Sequence, residues 1–196
     1  MQGKLILVVG QTGSGKGTLM SHLRATVPGL VFPISCTTRP MRPGEVNGQN
    51  YYFLTDEEFQ TRAANNEFLE WVYTDGRRYG SLKSEILEPL SEGKTVVREM
   101  DIKGVAKLRA LVPQESVRTI YIDAGTWDEL KERIKARAPI SDEELELRRQ
   151  RYEQELPFKH DADIVVANPA GGLEKAKADF VAAVCAIQHN TVTNIG

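Results

Sequence analysis

The feature that most constrains this chain is the stretch Gly10-Gln11-Thr12-Gly13-Ser14-Gly15-Lys16-Gly17-Thr18. It follows directly on the apolar run Leu5 to Val9 and leads into the helical pattern Leu19-Met20-Ser21-His22-Leu23. Strand, glycine-rich turn and helix are the setting in which G-x-x-x-x-G-K cradles phosphate. The glycines let consecutive backbone N–H groups turn inward, the helix N-terminus adds partial positive charge, and Lys16 can reach β- and γ-phosphates. All nine residues from Gly10 to Thr18 are therefore candidates for holding a nucleoside triphosphate, with Lys16 also a candidate catalytic cation. A turn serving only strand-to-helix packing would not account for the lysine at that spacing. Gly17 stands where the motif usually has a Ser or Thr whose hydroxyl holds Mg²⁺. Mg²⁺ is accordingly expected on phosphate oxygens and waters, with no protein ligand named, and Thr18 is expected at the α-phosphate.

The rest of the chain is a globular sequence of 196 residues, long enough for one compact domain with inserted lobes. With 41% hydrophobic and 27% charged residues, 16 Gly and 9 Pro, it is neither disordered nor collagen-like. A formal charge of -2 gives no basic excess to advertise nucleic acid or an anionic membrane as a partner, so a bound anion must meet a local basic cluster. Cys36 and Cys185 lie outside any CxxC or Cys/His cluster, which argues against a disulfide framework or a zinc site. The start has no signal-peptide pattern and no apolar run approaches a membrane span. A cytoplasmic location is expected, and the oligomeric state is left open.

Four short apolar runs read as buried parallel strands: Leu5 to Val9, Thr95 to Arg98, Val117 to Ile122 and Asp163 to Ala167, with Leu30 to Ile34 as a fifth. Helix starts follow from Thr55 with Glu58, Thr126 with Glu129 and Ser141 with Glu144 as capping boxes, and from Ser81 as cap of the helix ending before Gly93. A last helix shows the face Leu173, Ala176, Phe180, Val181, Val184 and Cys185. Alternating strands and helices imply an α/β fold whose ligands sit beyond the carboxyl ends of the strands. Residues 35–84 break the rhythm as an α+β lobe containing the short strand Tyr51 to Leu54. Residues 127–158 break it as a helical flap jointed at Ala138-Pro139-Ile140. The core then comprises 1–34, 85–126 and 159–196.

Within the lobe, Arg39 and Arg42 are followed by Tyr51 in Ser35-Cys36-Thr37-Thr38-Arg39-Pro40-Met41-Arg42-Pro43-Gly44-Glu45-Val46-Asn47-Gly48-Gln49-Asn50-Tyr51. Fork-shaped guanidinium donors beside a phenol suit a dianionic phosphate. Glu70, in Phe68-Leu69-Glu70-Trp71, is a carboxylate among apolar residues, which is costly unless paired. Guanine offers adjacent N1–H and N2–H donors to such a carboxylate, and its O6 needs a donor such as Ser35 or Ser81. Phe68, Trp71 and Tyr73 read as packing of the lobe, and the cysteines and histidines have no partner constellation.

These residues resemble guanylate kinase over nearly the whole chain, with Ser35 to Tyr51 similar to that family's GMP-binding stretch. The resemblance implies a P-loop NTPase fold: a parallel five-stranded sheet flanked by helices, with an inserted GMP-binding lobe and a helical lid. It implies that Arg39, Arg42, Tyr51 and Tyr79 hold the GMP phosphate, that Ser35, Glu70, Ser81 and Asp101 read or brace guanine, and that Arg39 also serves catalysis. It implies that Arg133, Arg137 and Arg148 close on the ATP phosphates and that Asn168 lies beside adenine. It further implies Mg²⁺-dependent transfer from ATP to GMP. By themselves Arg133 and Arg137, at i,i+4 and near Glu129 and Glu132, could equally form a salt-bridged helix face. Two departures stand out. The usual Asp-Ile-Asp is Glu99-Met100-Asp101, preceded by an unusual Arg98, and the lid's Arg-Gly is Arg137-Ala138 before Pro139. The Gly17-Thr18 spelling resembles adenylate kinases, and a non-catalytic protein-binding module of the same fold is a rival that the intact Lys16 disfavours.

Overall fold

The apolar run that precedes the glycine loop becomes β1 (Lys4–Val9), the middle strand of a five-stranded parallel sheet. The other strands are β2 (Leu30–Val31), β7 (Thr95–Glu99), β8 (Val117–Asp123) and β9 (Ile164–Ala167), in the order β2-β7-β1-β8-β9. The computed structural model describes residues 3–74, 76–137 and 139–189, apart from the side chains of Thr74, Lys103 and Arg137. Leu5, Leu7 and Val9 enter one core, with Ile86 and Leu90 of α3 (Ser84–Ser91) and Val105 and Leu108 of α4 (Ile102–Arg109). Ile6 and Val8 enter the other, with Leu19 and Leu23 of α1 (Lys16–Thr26) and Ala176, Phe180, Val184 and Ile187 of α8 (Leu173–Gln188). A strand covered on both faces has no use for polar alternation, which is why these runs are continuously apolar.

The chain steps from β7 on one side of β1 to β8 on the other, so the strand order reverses at β1 and opens a crevice beyond its carboxyl end. A second sheet lies over that edge: β3 (Ser35–Thr37), β4 (Tyr52–Phe53), β5 (Phe68–Thr74) and β6 (Arg77–Leu82), in the order β4-β3-β6-β5, with α2 (Asp56–Ala64). Its small core joins Cys36, Phe59, Phe68 and Leu82, and the rings of Phe59 and Phe68 stack at 4.4 Å. The charged segment after β8 forms α5 (Trp127–Arg137), α6 (Asp142–Glu155) and α7 (Phe158–Asp161). Ala124, Leu130, Ile134 and Leu145 tie the first two of these together. No helix among the described residues is long and apolar enough to cross a membrane.

Several sequence expectations change on contact with the fold. Ser81 caps no helix: it lies inside β6, and α3 starts after Lys83 without a side-chain cap. The strand expected over Leu30 to Ile34 is only two residues long, because Pro33 has no N–H to continue a ladder and the Ile34 N–H goes to Glu85 Oε2 at 3.0 Å. The lobe strand expected over Tyr51 to Leu54 shortens to Tyr52–Phe53. The Thr55/Glu58 and Thr126/Glu129 boxes form in both directions. At Ser141 the hydroxyl accepts the Glu144 N–H, while the Glu144 carboxylate turns to Arg148 at 2.6 Å. Asp163 precedes β9 and accepts from Thr119 N–H and Oγ1 at 2.7 and 2.6 Å. Tyr73 is 63% exposed, since β5 is the outer strand of its sheet, whereas Phe68 is buried and Trp71, though 48% exposed, packs edge-on against Phe59 at 6.0 Å as expected of lobe packing. Ala138 of the expected joint and residues 190–196 of the tail lie outside the described residues.

Candidate active site

The glycine loop closes over the end of β1 in the backbone conformations its sequence foretells. Gly10 has φ 143° and Gly15 has φ 92°, both in the half of φ space that side chains disfavour. Close approach adds a second demand at Gly15, where a Cβ would stand 2.5 Å from Asn168 Nδ2. That amide donates to Ser14 O at 2.8 Å, and the Asn168 N–H donates to Asp123 O at 2.7 Å, so Asn168 clamps the loop to the ends of β8 and β9. Lys16 folds back over the loop and donates to Gly10 O and Gln11 O at 2.7 and 3.0 Å, with Glu99 3.9 Å away. Burial pulls the Lys16 ammonium below its ordinary pKa, and the carboxylates of Glu99 and Glu155 act against that pull. Burial likewise raises Glu155, with Lys16 opposing.

Beside the loop lies a cleft of about 720 Å³, lined by Thr12, Gly13, Gly15, Lys16, Gly17, Thr18, Ser21, Glu99, Arg133, Ile134 and Arg148. Loop and lid residues therefore share one space. Gly17 has no atom within 4 Å of where its Cβ would stand. Arg133 is not part of a salt-bridged helix face: it donates to Asn168 O at 2.7 Å, while Glu129 caps its own helix. Arg148 reaches the cleft while paired with Glu144. The Arg137 side chain lies outside the described residues. Arg151, which carried no sequence signal, joins Arg148, Tyr152 and Glu155 around Gln11 and Thr12.

The lobe sheet supplies a second seat. Ser35 on β3 is the cross-strand partner of Ser81 on β6, and Ser81 is that of Glu70 on β5, so the three side chains stand in one row on one face. An irregularity between Phe68 and Glu70 makes this possible. Residues two apart on a strand normally share a face, but the extra residue Leu69 lets Phe68 pair with Leu82 in the lobe core while Glu70 turns to the opposite side. Tyr79, two residues before Ser81, shares that face at about 7 Å along the strand. There it meets Tyr51 edge-on at 6.2 Å, and the Arg39 guanidinium lies 5.6 Å from the Tyr51 ring centroid. Arg42 has an exposed side chain, and its N–H donates at 2.7 Å to Glu45 Oε2, on the same carboxylate that holds Arg39.

Asp101 caps α4, accepting the Gly104 N–H at 2.7 Å. Glu70 Oε1 and Asp101 Oδ1 come within 3.5 and 3.3 Å of where a Gly104 Cβ would stand, so both carboxylates overlook the first turn of α4. The end of β7 connects the two seats. Glu99 lines the loop cleft, whereas Arg98 turns to the other face of the strand and donates to Ser81 Oγ. Burial lowers the Arg98 pKa and the Glu70 charge raises it. Arg98 Nε, Gln11 Oε1 and Ser14 Oγ are buried without a hydrogen-bond partner among the described residues. Gln11 and Ser14 belong to the glycine loop, and Arg98 touches the lobe seat through Ser81.

A family model described as guanylate kinase matches residues 2–184. The chain belongs to the guanylate kinase family. It is 37% identical over 188 residues to a guanylate kinase of Nostoc sp., covering 96% of this chain and 89% of that relative. It is 34% identical over 168 residues to one from Thermotoga maritima, covering 86% of this chain and 80% of the relative. The crystal structure of guanylate kinase from Anaplasma phagocytophilum matches with a TM-score of 0.66 over 95% of this chain and 87% of that one; at 23% identity it speaks for the fold alone. The fold is the P-loop NTPase fold expected from the loop and the strand pattern. As a member of the guanylate kinase family the protein is a nucleotide-binding kinase.

The sequence assigns no role to Glu45, Arg98 or Arg151, which the fold brings to the candidate site. Glu45 accepts from Arg39 Nη1 and Nη2 at 3.0 and 2.7 Å and sits six positions on, where a carboxylate following two arginines across a Pro-Gly turn is a readable signal. Cys36 is not a nucleophile, since burial pushes its thiol up to about 11 and so keeps it protonated.

Proposed function

We propose that this protein transfers the γ-phosphate of ATP to the phosphate of GMP, and that the two seats hold donor and acceptor. The observation that carries the reading is the row Ser35–Ser81–Glu70 standing beside a P-loop cleft. A carboxylate at the end of a row of hydroxyls matches the N1–H, N2–H and O6 edge of guanine and no other common base. The glycine loop, residues Gly10 to Thr18, takes the ATP phosphates, with Asn168 as the brace that fixes the loop near the adenine side. Arg39, Arg42, Tyr51 and Tyr79 take the GMP phosphate, and Asp101 braces the base seat from the α4 cap. In this reading residues 1–34, 85–126 and 159–196 are the core, 35–84 the GMP lobe and 127–158 the lid.

The acceptor needs no strong general base, because a phosphate monoester has a second pKa of about 6 and is largely ionised at neutral pH. Catalysis is then positioning and charge stabilisation by Lys16, Arg39, Arg133, Arg137 and Arg148. The cleft fits a hydrated cation: Gly17 leaves open space, and among the described residues Glu99 is the one carboxylate lining it. Mg²⁺, held there by phosphate oxygens and waters within reach of Glu99, would supply neutralisation of charge on the transferring group. Closure of lid and lobe would exclude water and suppress hydrolysis of ATP. A cytoplasmic location, with ATP and GMP as the partners, completes the reading.

The test is a coupled ADP-release assay with Mg-ATP against GMP, AMP, CMP, UMP and no acceptor. Turnover confined to GMP is expected. Turnover with AMP would transfer weight to an adenylate kinase reading, and silence with every acceptor would favour a binding module.

Glu45 organises the phosphate side of the seat. It takes the end of the Arg39 fork, while Pro40 O takes a further Nη1 hydrogen at 2.7 Å. This leaves Nε–H and one Nη2–H as a side-on pair suited to a phosphate. E45Q is expected to raise the KM for GMP about tenfold, the size of a lost charge-assisted bond, with the KM for ATP unchanged. Steady-state titration of both substrates checks it, and an unaltered KM for GMP would show that Arg39 orients itself.

A further inference from the structure

We infer that Arg98 is a positioning residue for base selection, which makes the end of the seat facing C6 of a purine a pure hydrogen-bond donor. The inference rests on the guanine reading of the seat and adds a device that the row of three side chains does not contain. A serine hydroxyl is indifferent by itself, since it donates one hydrogen bond and accepts others. A seat closed by Ser81 alone could therefore accept from the 6-amino group of adenine as readily as it donates to the 6-oxo group of guanine.

Arg98 removes that ambiguity. It lies at the end of β7, in the core sheet, and donates through Nη2 to Ser81 Oγ in the lobe sheet. One of the serine's two acceptor sites is thereby occupied, and the cation beside the oxygen disfavours a second donor there, so the hydroxyl directs its proton into the seat. The guanidinium has donors only and stays charged, and the Glu70 carboxylate across the row favours that charge. Glu70 is itself aligned with Ser81 by the strand register and bordered by Lys107 Nζ at 3.4 Å. The seat then has two ends of opposite character. Glu70 accepts from N1–H and N2–H, and Ser81 backed by Arg98 donates to O6. A 6-amino purine would set donor against donor at one end and acceptor against acceptor at the other.

The experiment compares the full-length protein with R98M and R98K, measuring binding calorimetrically and kcat/KM for GMP, AMP and 6-thio-GMP. The sulfur nucleotide keeps both N–H donors for Glu70 but offers a poorer acceptor at C6, so the ratio of GMP to 6-thio-GMP reads the C6 end alone. R98M is expected to shrink both that ratio and the GMP to AMP ratio about tenfold, leaving the KM for ATP unchanged, and R98K is expected to keep most of the selectivity. If R98M weakens GMP and 6-thio-GMP equally, Arg98 is a fastening between sheets and the inference falls. A wild-type protein that takes AMP as well as GMP overturns the guanine reading itself, whereas a GMP-selective wild type with ratios untouched in R98M overturns only the role of Arg98. Should R98M fail to fold, S81A decides: collapse of the GMP to 6-thio-GMP ratio supports a C6 reader at Ser81, and within S81A the R98K change must then have no further effect on the ratio. A further effect of R98K in S81A would mean that Arg98 does not act through the serine.

Discussion

Replacing Lys16 by Ala is expected to lower turnover with GMP about a thousandfold or more, the scale on which a single charged group at a transferring phosphoryl acts. Lys16 Nζ is held by the carbonyls of Gly10 and Gln11, which fixes its position inside the loop. Its burial lowers the ammonium's pKa, and Glu99 and Glu155 oppose that, in a setting with little water to screen charge. Transition-state charge on the γ-phosphoryl meets that preorganised cation. The same replacement strips two loop carbonyls of their donor, so a loosened loop must be told apart from a lost charge. Thermal protection by ATP makes the distinction: protection retained alongside a large loss in single-turnover rate assigns the loss to the chemical step. Near-normal turnover would remove Lys16 from the site.

What the sequence discloses is what neighbouring residues decide among themselves. The glycine loop is readable because strand, turn and helix start lie within one short segment, and the positive φ values at Gly10 and Gly15 are local demands. The core strands are readable because burial on both faces leaves continuous apolar runs, as at Leu5 to Val9. Capping boxes at Thr55 and Thr126 are readable for the same reason. Ser81 was misread as a cap because a hydroxyl ahead of a helical pattern looks alike whether or not the backbone has already paired. Its fate was set by Ser35 and Glu70 on the adjoining strands and by Arg98 in another sheet.

The site divides along the same line. The residues of the glycine loop and the Arg39–Tyr51 stretch could be named as a group, whereas their mutual arrangement depends on contacts across great lengths of chain. Asn168 is bound to Ser14 at a separation of 154 residues, and no pattern in either neighbourhood announces it. Arg133 looked like a member of a charged helix face until the fold set Asn168 O beside it. The irregularity at Leu69 is subtler still. Phe68 and Glu70 alternate in the sequence as if they faced the same way, and only the pairing of β5 with β6 sends one into the core and the other to the seat.

That irregularity bears on the second large effect. Glu70→Gln is expected to reduce kcat/KM for GMP by about a hundredfold and to narrow the preference for GMP over AMP at least as much, as expected where a site's buried polar groups lose their match. A carboxylate accepts from N1–H and N2–H together, while an amide turns one of its two positions into a donor and sets it against a donor of the base. The shape of the seat changes little, since the two side chains are nearly isosteric and Phe68, on the opposite face, still fills the lobe core. Adenine, with an acceptor at N1, should bind the variant no worse than the parent. The measurement is the ratio of kcat/KM for GMP to that for AMP in both proteins, with the KM for ATP as a check on the loop. An unchanged ratio would assign Glu70 to the ion pair with Lys107 at 3.4 Å and to the field on Arg98, leaving the base to be read from Ser35 and Ser81. The narrowed ratio would make the turned strand at Leu69 the point where the backbone itself sets which base the protein accepts.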